Sequence, residues 1–167
     1  NGTVGYNLIT NSITAEVSGS SLTSNGAASL LAASEADVLS FVGGVAGSGL
    51  VAAQLSLTIN EIENTISASI VDDAAGGSTV TAGSLSLTAT DASTIDSGAM
   101  GLSASGFAAG GAAISKNLIT NEVSATISGS EVTASGAVSR EAESSPIIRS
   151  YAIGVPGLAA LILTHDL

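Results

Sequence analysis

The chain has no cysteine, no tryptophan, only two Phe and two Tyr, and only three basic side chains in 167 residues. Each shortage excludes something. Without cysteine and with His165 as the one histidine, a His/Cys zinc site cannot form within one chain, and a Ser-His-Asp arrangement has a single histidine to draw on. The cysteine count leaves the redox compartment open. Aromatics supply most of the apolar area in a wide globular core. With hydrophobic residues at 45% but drawn mainly from Ala, Val, Ile and Leu, among much Gly, Ser and Thr, the interior must be thin. Lys116, Arg140 and Arg149 stand against 14 acids, a net charge of −11. That balance disfavours nucleic acid and anionic membranes, both of which need clustered cations. It suits solubility, or screening by divalent cations, outside the cell. No window holds 18 unbroken apolar residues, residues 155–163 coming nearest, so membrane insertion is not expected. No signal peptide is visible before Asn1, and the chain reads as an excised or mature segment.

What is present is a repeat. Residues 7–17 read NLITNSITAEV, residues 60–70 NEIENTISASI, and residues 117–127 NLITNEVSATI. The shared frame is N-x-I-x-N-x-[IV]-x-A-x-[IV], recurring after 53 and then 57 residues. Downstream, residues 20–32, 78–89 and 130–142 align with one residue of slippage. Val38, Ile95 and Ile148 match next, and Gly49, Gly106 and Gly157 mark a common point. Length differences fall where turns belong: an extra stretch at residues 72–77 and a short third copy around Val155 and Pro156. Stacked repeats tolerate insertions there and not within strands. The domain is therefore read as one continuous unit over residues 1–167, with repeats at about 7–59, 60–116 and 117–167. Neither end carries a polar capping repeat. His165, Asp166 and Leu167 take the place that residues 114–116 hold before Asn117.

The frame alternates strictly. Asn7, Ile9, Asn11, Ile13, Ala15 and Val17 share one face, with Leu8, Thr10, Ser12, Thr14 and Glu16 on the other. A period of two enriched in β-branched residues is a strand signal. The fold class is all-β, a parallel β-solenoid built from tandem repeats. Two versions remain open. Three coils per repeat would make a rod about 40 Å long at about 4.8 Å per layer. One wide, flat, two-layer coil per repeat would set the small residues 99–101 against residues 111–113 across a narrow gap. An inward Asn is costly unless its amide is bonded. The repeated Asn7, Asn60 and Asn117, with Asn11, Asn64 and Asn121, therefore predict a structural amide ladder, in adjacent layers for the one-coil version.

The motif N-x-I-x-N-x-V-x-A-x-I over residues 117–127, followed by residues 129–139 and a Gly/Ala-rich stretch, resembles repeats of large bacterial β-strand-repeat exoproteins. These are the filamentous-haemagglutinin-like, leukotoxin-type filamentous adhesins. The resemblance covers essentially the whole chain. It implies a right-handed β-helix, secretion, and an adhesive or scaffolding stalk with no catalytic residues.

Chemistry is sparse. Glu35/Asp37, Glu61/Glu63 and Glu141/Glu143 each place two carboxylates on one strand face. Paired carboxylates serve glycoside hydrolysis, but aromatic sugar platforms and cations are scarce, so a solvated face is expected. No cofactor is expected. Calcium at Asp72 and Asp73 is the one weak metal option, and the spaced ligands of a calcium repeat are missing. Gly43-Gly44 and Gly110-Gly111 lack the Gly-Lys-Ser/Thr of a phosphate loop and fit close sheet packing instead. His165 reads as a strand or turn residue. Asn1-Gly2-Thr3 is a lone glycosylation sequon.

The expected function is a non-enzymatic structural segment of an extracellular bacterial fibre or adhesin, at the cell surface or in a biofilm matrix. Its partner would be itself, end to end, or adjoining repeats of a longer chain, with host or matrix glycans as a further option. The alternatives are a module presenting an acidic or Thr-rich face to glycan, mineral or ice, and a polysaccharide-active β-helix.

Overall fold

The computed structural model describes residues 1–73, 76–156 and 160–166, with the backbone alone at 156 and 160–166. The described chain is all-β. Thirteen strands run in the order β1 (Gly2–Ser18), β2 (Ser21–Thr23), β3 (Ala27–Ser34), β4 (Asp37–Ser48), β5 (Val51–Val71), β6 (Thr79–Ala82), β7 (Ser84–Asp91), β8 (Thr94–Ser105), β9 (Ala108–Ile127), β10 (Glu131–Ala134), β11 (Val138–Ser144), β12 (Ile147–Pro156) and β13 (Ala160–Asp166). They form four parallel sheets, β1-β5-β9-β13, β10-β6-β2, β11-β7-β3 and β12-β8-β4. Parallel strands in stacked sheets are the arrangement of a parallel β-solenoid or β-helix.

Each sheet gains one strand per repeat, so one repeat makes one turn of the chain. Asn7 lies beside Asn60, and Asn60 beside Asn117. The three-coil version and its 40 Å rod are thereby replaced. Three layers rise only about 15 Å, while the 21 residues of β5 extend about 70 Å. The alignment's slippage lies between strands: Ser18 pairs with Val71 but Ser21 with Thr79, eight residues further along rather than three. There Asp73 and Gly76 exchange backbone hydrogen bonds of 3.1 Å. At the other short turn the expected register is corrected. β13 sets His165 beside Lys116 and Asp166 beside Asn117, two positions further along the repeat than the sequence alignment placed them.

The inward row of β5 is the motif face. Asn60, Ile62, Asn64, Ile66, Ala68 and Ile70 are all buried. Ile66, Ala68 and Ile70 pack with Leu30 and Ala32 of β3, Val80 of β6, and Leu85, Leu87 and Ala89 of β7. Ile62 packs with Ala36, Val38 and Ile95 at the entry to β4 and β8. Each fully buried Ile or Leu contributes about 1.5–3 kcal/mol. Toward the turn after β8 the core thins to Ala99, Ala113 and Ala152. A Cβ added at Gly101 would lie 2.8 Å from the Ala112 carbonyl oxygen, and one at Gly111 3.1 Å from the Gly101 carbonyl oxygen. Facing backbones touch here, which is why neither position carries a side chain. Residues 99–101 thus meet residues 111–113 across a narrow gap.

Candidate functional site

The Asn positions come together in two different ways. Asn7 Nδ2 donates to Asn60 Oδ1 at 2.7 Å, and Asn60 Nδ2 donates to Asn117 Oδ1 at 2.8 Å. One amide per layer, each donating to the next, makes a ladder along the stack. Asn60 and Asn117 are fully buried, and Thr58 Oγ1 and Ser115 Oγ accept a second bond from each amide, at 3.4 and 3.3 Å. The second column differs. Asn11 is exposed beside Asn64. Asn64 gives its backbone N–H to Asn121 Oδ1 at 3.1 Å, while its side chain turns away to the corner between β7 and β8.

That corner holds Asp91, which sequence reasoning passed over. Asp91 is buried, and its carboxylate accepts from Ser93 Oγ (2.7 Å), the Ser93 backbone N–H (3.3 Å), Asn64 Nδ2 (3.3 Å) and Asn121 Nδ2 (2.5 Å). Its column mates are Ser34 and Ser144. The signal was its parity: Leu85, Leu87, Ala89 and Asp91 all stand on the inward row. A carboxylate with this donor set is a structural clasp joining β7 to β5 and β9.

The remaining sequence candidates lie apart. Glu35, Asp37, Glu63, Glu141 and Glu143 are exposed and Glu61 is half-buried; Glu61 and Glu63 belong to the long sheet, Glu141 and Glu143 to the β11-β7-β3 sheet. Asp72 and Asp73 lean toward opposite layers: a Cβ at Gly129 would collide with Asp72, and one at Gly19 with Asp73. Both glycines have positive φ, 59° and 50°. Among the described residues no group of three or more His, Cys, Asp or Glu is placed to hold a metal ion. The outward threonines are interrupted, since Glu63 sits between Thr10 and Thr120. Gly44 and Gly111 face inward at close approaches, whereas Gly43 and Gly110 face outward. The side chain of His165 and all of Gly157 lie outside the described residues.

One part of the surface is unlike the rest. Where β4 folds back into β5, the inward row carries Ser40, Val42, Gly44, Ala46, Ala52, Gln54, Ser56 and Thr58, while the outward row carries Leu39, Phe41, Val45 and Leu55. Leu39 is 88% exposed and Phe41 70%. The inward hydroxyls pair across the gap, Ser40 with Thr58 at 2.9 Å and Ser97 with Ser115 at 2.8 Å. The fold-back turns project Leu50 and Phe107, exposed to 73% and 77%. On the outer face of β4, β8 and β12, the Phe41 ring leans over Gly98, next in the row to Tyr151. A cleft of about 480 Å³ opens there, bordered by Leu39 and by Asp96, which accepts from Arg149 at 3.3 Å.

No family model matches this chain, and no curated protein or solved structure matches it either.

Proposed function

We propose that the chain is a structural repeat segment of a secreted or surface-displayed bacterial fibre or adhesin, in which flat coils stack into a rod or filament. The finer architecture we infer is a flat, two-layer solenoid with one wide coil per repeat. Parallel crossovers are right-handed almost without exception, so the coil is read as right-handed. The observation that carries the function is the register. At the inward positions of the repeated motif each layer sets like residues over those beneath: Asn7 under Asn60 under Asn117, and Ile13 under Ile66 under Val123. A surface that repeats itself at each layer accepts another layer, whether from adjoining repeats or from a second copy. β1 at one side of the long sheet and β4 at one side of its sheet have one neighbour each, leaving backbone groups available for pairing. The resemblance to filamentous-haemagglutinin-like repeats points the same way.

We read the chain as non-enzymatic and without a cofactor, because its acid pairs are scattered over separate sheets and sugar platforms of several aromatics are missing from the acidic faces. The test is electron microscopy of the purified chain. Uniform filaments with an axial layer spacing of about 4.8 Å are expected. Discrete particles that hydrolyse or tightly bind a polysaccharide would overturn the reading.

A further inference from the structure

Against the expectation from the sequence that no segment enters a membrane, we propose that the fold-back end of the coil stack, where β4 turns into β5 and β8 into β9, seats in the hydrocarbon of a lipid bilayer. This end is inside out. Its interior is lined by Ser, Thr, Gly, Ala, Gln and Asn with Val42 among them, and most of its larger apolar side chains point outward. The opposite end, around Leu85, Leu87 and Ile66, has the usual apolar interior. An exterior more apolar than the interior, alternating along segments of about ten residues, is the pattern of strands that face lipid.

Charge marks the boundary. Residues 38–60 and 97–115 contain no charged side chain. Going back from the tip, the first charged side chains are Asp37, Asp96 and Arg149 on one face, and Glu61 and Lys116 on the other, with the amino group of Asn1 nearer the tip, donating to the Ala53 carbonyl. Asp37, Asp96, Glu61 and Lys116 stand nine to twelve residues from the turns at 49–50 and 106–107, or about 30–40 Å of strand, against the roughly 30 Å hydrocarbon layer. Both tyrosines lie at this boundary: Tyr6 shares a row with Lys116, and Tyr151 is two residues from Arg149. Tyrosine rings and the long stems of Lys and Arg prefer the headgroup level, with the polar end in water.

A second copy fits this surface less well. The apolar area covers two faces and the tip, whereas a partner sheet covers one. One such face measures about 35 by 15 Å, roughly 500 Å², below the roughly 800 Å² per partner of a stable interface. A bilayer surrounds all three sides. Ser40 pairs with Thr58, Ser97 with Ser115 and Asn60 with Asn117, as a water-free setting requires, whereas Gln54 Oε1, Ser103 Oγ and Ser105 Oγ are buried there without a partner. The inference rests on the stacking proposed above, since the free edges of β4 and β12 cannot leave water unless another layer pairs them.

The chain has no tryptophan, so Phe107→Trp introduces a single reporter at the tip and Leu31→Trp one on the outer face of the opposite end. With phosphatidylcholine vesicles, the Phe107→Trp indole is expected to shift to the blue and be quenched by brominated acyl chains, while the Leu31→Trp indole stays in water. Vesicle flotation of the unaltered chain is expected to fall about ten-fold or more in the Leu50→Asp/Phe107→Asp variant, with its circular dichroism unchanged. An unquenched Phe107→Trp indole overturns the proposal. So does a blue shift that appears with protein concentration in the absence of lipid, which assigns the tip to a second copy. Filaments that do not float leave the stacking reading standing and overturn this one; a chain that forms no filaments overturns the stacking on which it rests.

Discussion

Asn60 lies between two amides and is reached by both, so its removal does more than delete one hydrogen bond. Asn60→Ala leaves the Asn7 amide without its acceptor and the Asn117 carbonyl without its donor, the latter fully buried. A buried polar group left unpaired costs about 1–3 kcal/mol. The expected loss is therefore about 2–4 kcal/mol, against under about 1 kcal/mol for Asn7→Ala at the exposed end of the ladder. Urea melts followed by circular dichroism decide it, and equal losses at the two positions would remove the ladder from the account. The opposite sign is expected at Ser103, whose buried hydroxyl has no partner. Ser103→Ala removes an unsatisfied group at little loss of packing and is expected to be neutral or stabilising by up to about 1 kcal/mol in the same melts. At this scale legibility tracks repetition. An inward Asn in three copies states its own need for a partner. Asp91 stands alone among Ser34 and Ser144, so no alignment of the copies marks it, and only its place on the inward row carries the signal.

The strands follow the repeat because a period of two and β-branched side chains leave few alternatives. How many layers one repeat makes is not in that pattern. It depends on where the chain folds back, and the clearest sequence sign of that is the pair of glycines that let facing backbones touch. Gly101 and Gly111 are those positions. Gly101→Val is expected to force the β8 and β9 layers apart, at a cost of about 1–3 kcal/mol. Gly98→Val, three residues earlier and on the outer face, meets the Phe41 ring, which can swing aside. Gly98→Val is therefore expected to lose less, and a thermal melt in which both variants fall equally would argue against the narrow gap. Corners were less legible than strands for a related reason. The register of β13 depends on the length of the connection after Pro156, and the unbroken apolar run at residues 158–163 has no alternation to fix it.

At the level of the whole molecule, stacking is a competition between columns that welcome another layer and columns that resist it. The long sheet presents Ile13, Ile66 and Val123 in one inward column, apolar throughout. The β3-β7-β11 sheet presents Leu30, then Leu87, then Arg140. β11 is exposed along its length, so the guanidinium of Arg140 stands where a further layer would lay an apolar side chain. An inward-pointing charge on an edge strand is a recognised brake on edge pairing. Two substitutions should therefore move assembly in opposite directions. Arg140→Leu completes the apolar column and is expected to lower the protein concentration at which filaments form, by about ten-fold for a gain near 1.4 kcal/mol per contact. Ile13→Lys places a charge in the column of the other outer layer, where the side chain is only half-buried and its ammonium can reach water. The chain is expected to stay folded by circular dichroism and to sediment as a monomer at concentrations where the unaltered protein forms filaments. Sedimentation velocity across a concentration series reads both. If Arg140→Leu leaves the assembly threshold where it was, the β11 edge takes no part in stacking. The joint would then rest on the other three sheets, foremost the long one, whose outer strand β1 runs 17 residues and carries Asn7 of the ladder.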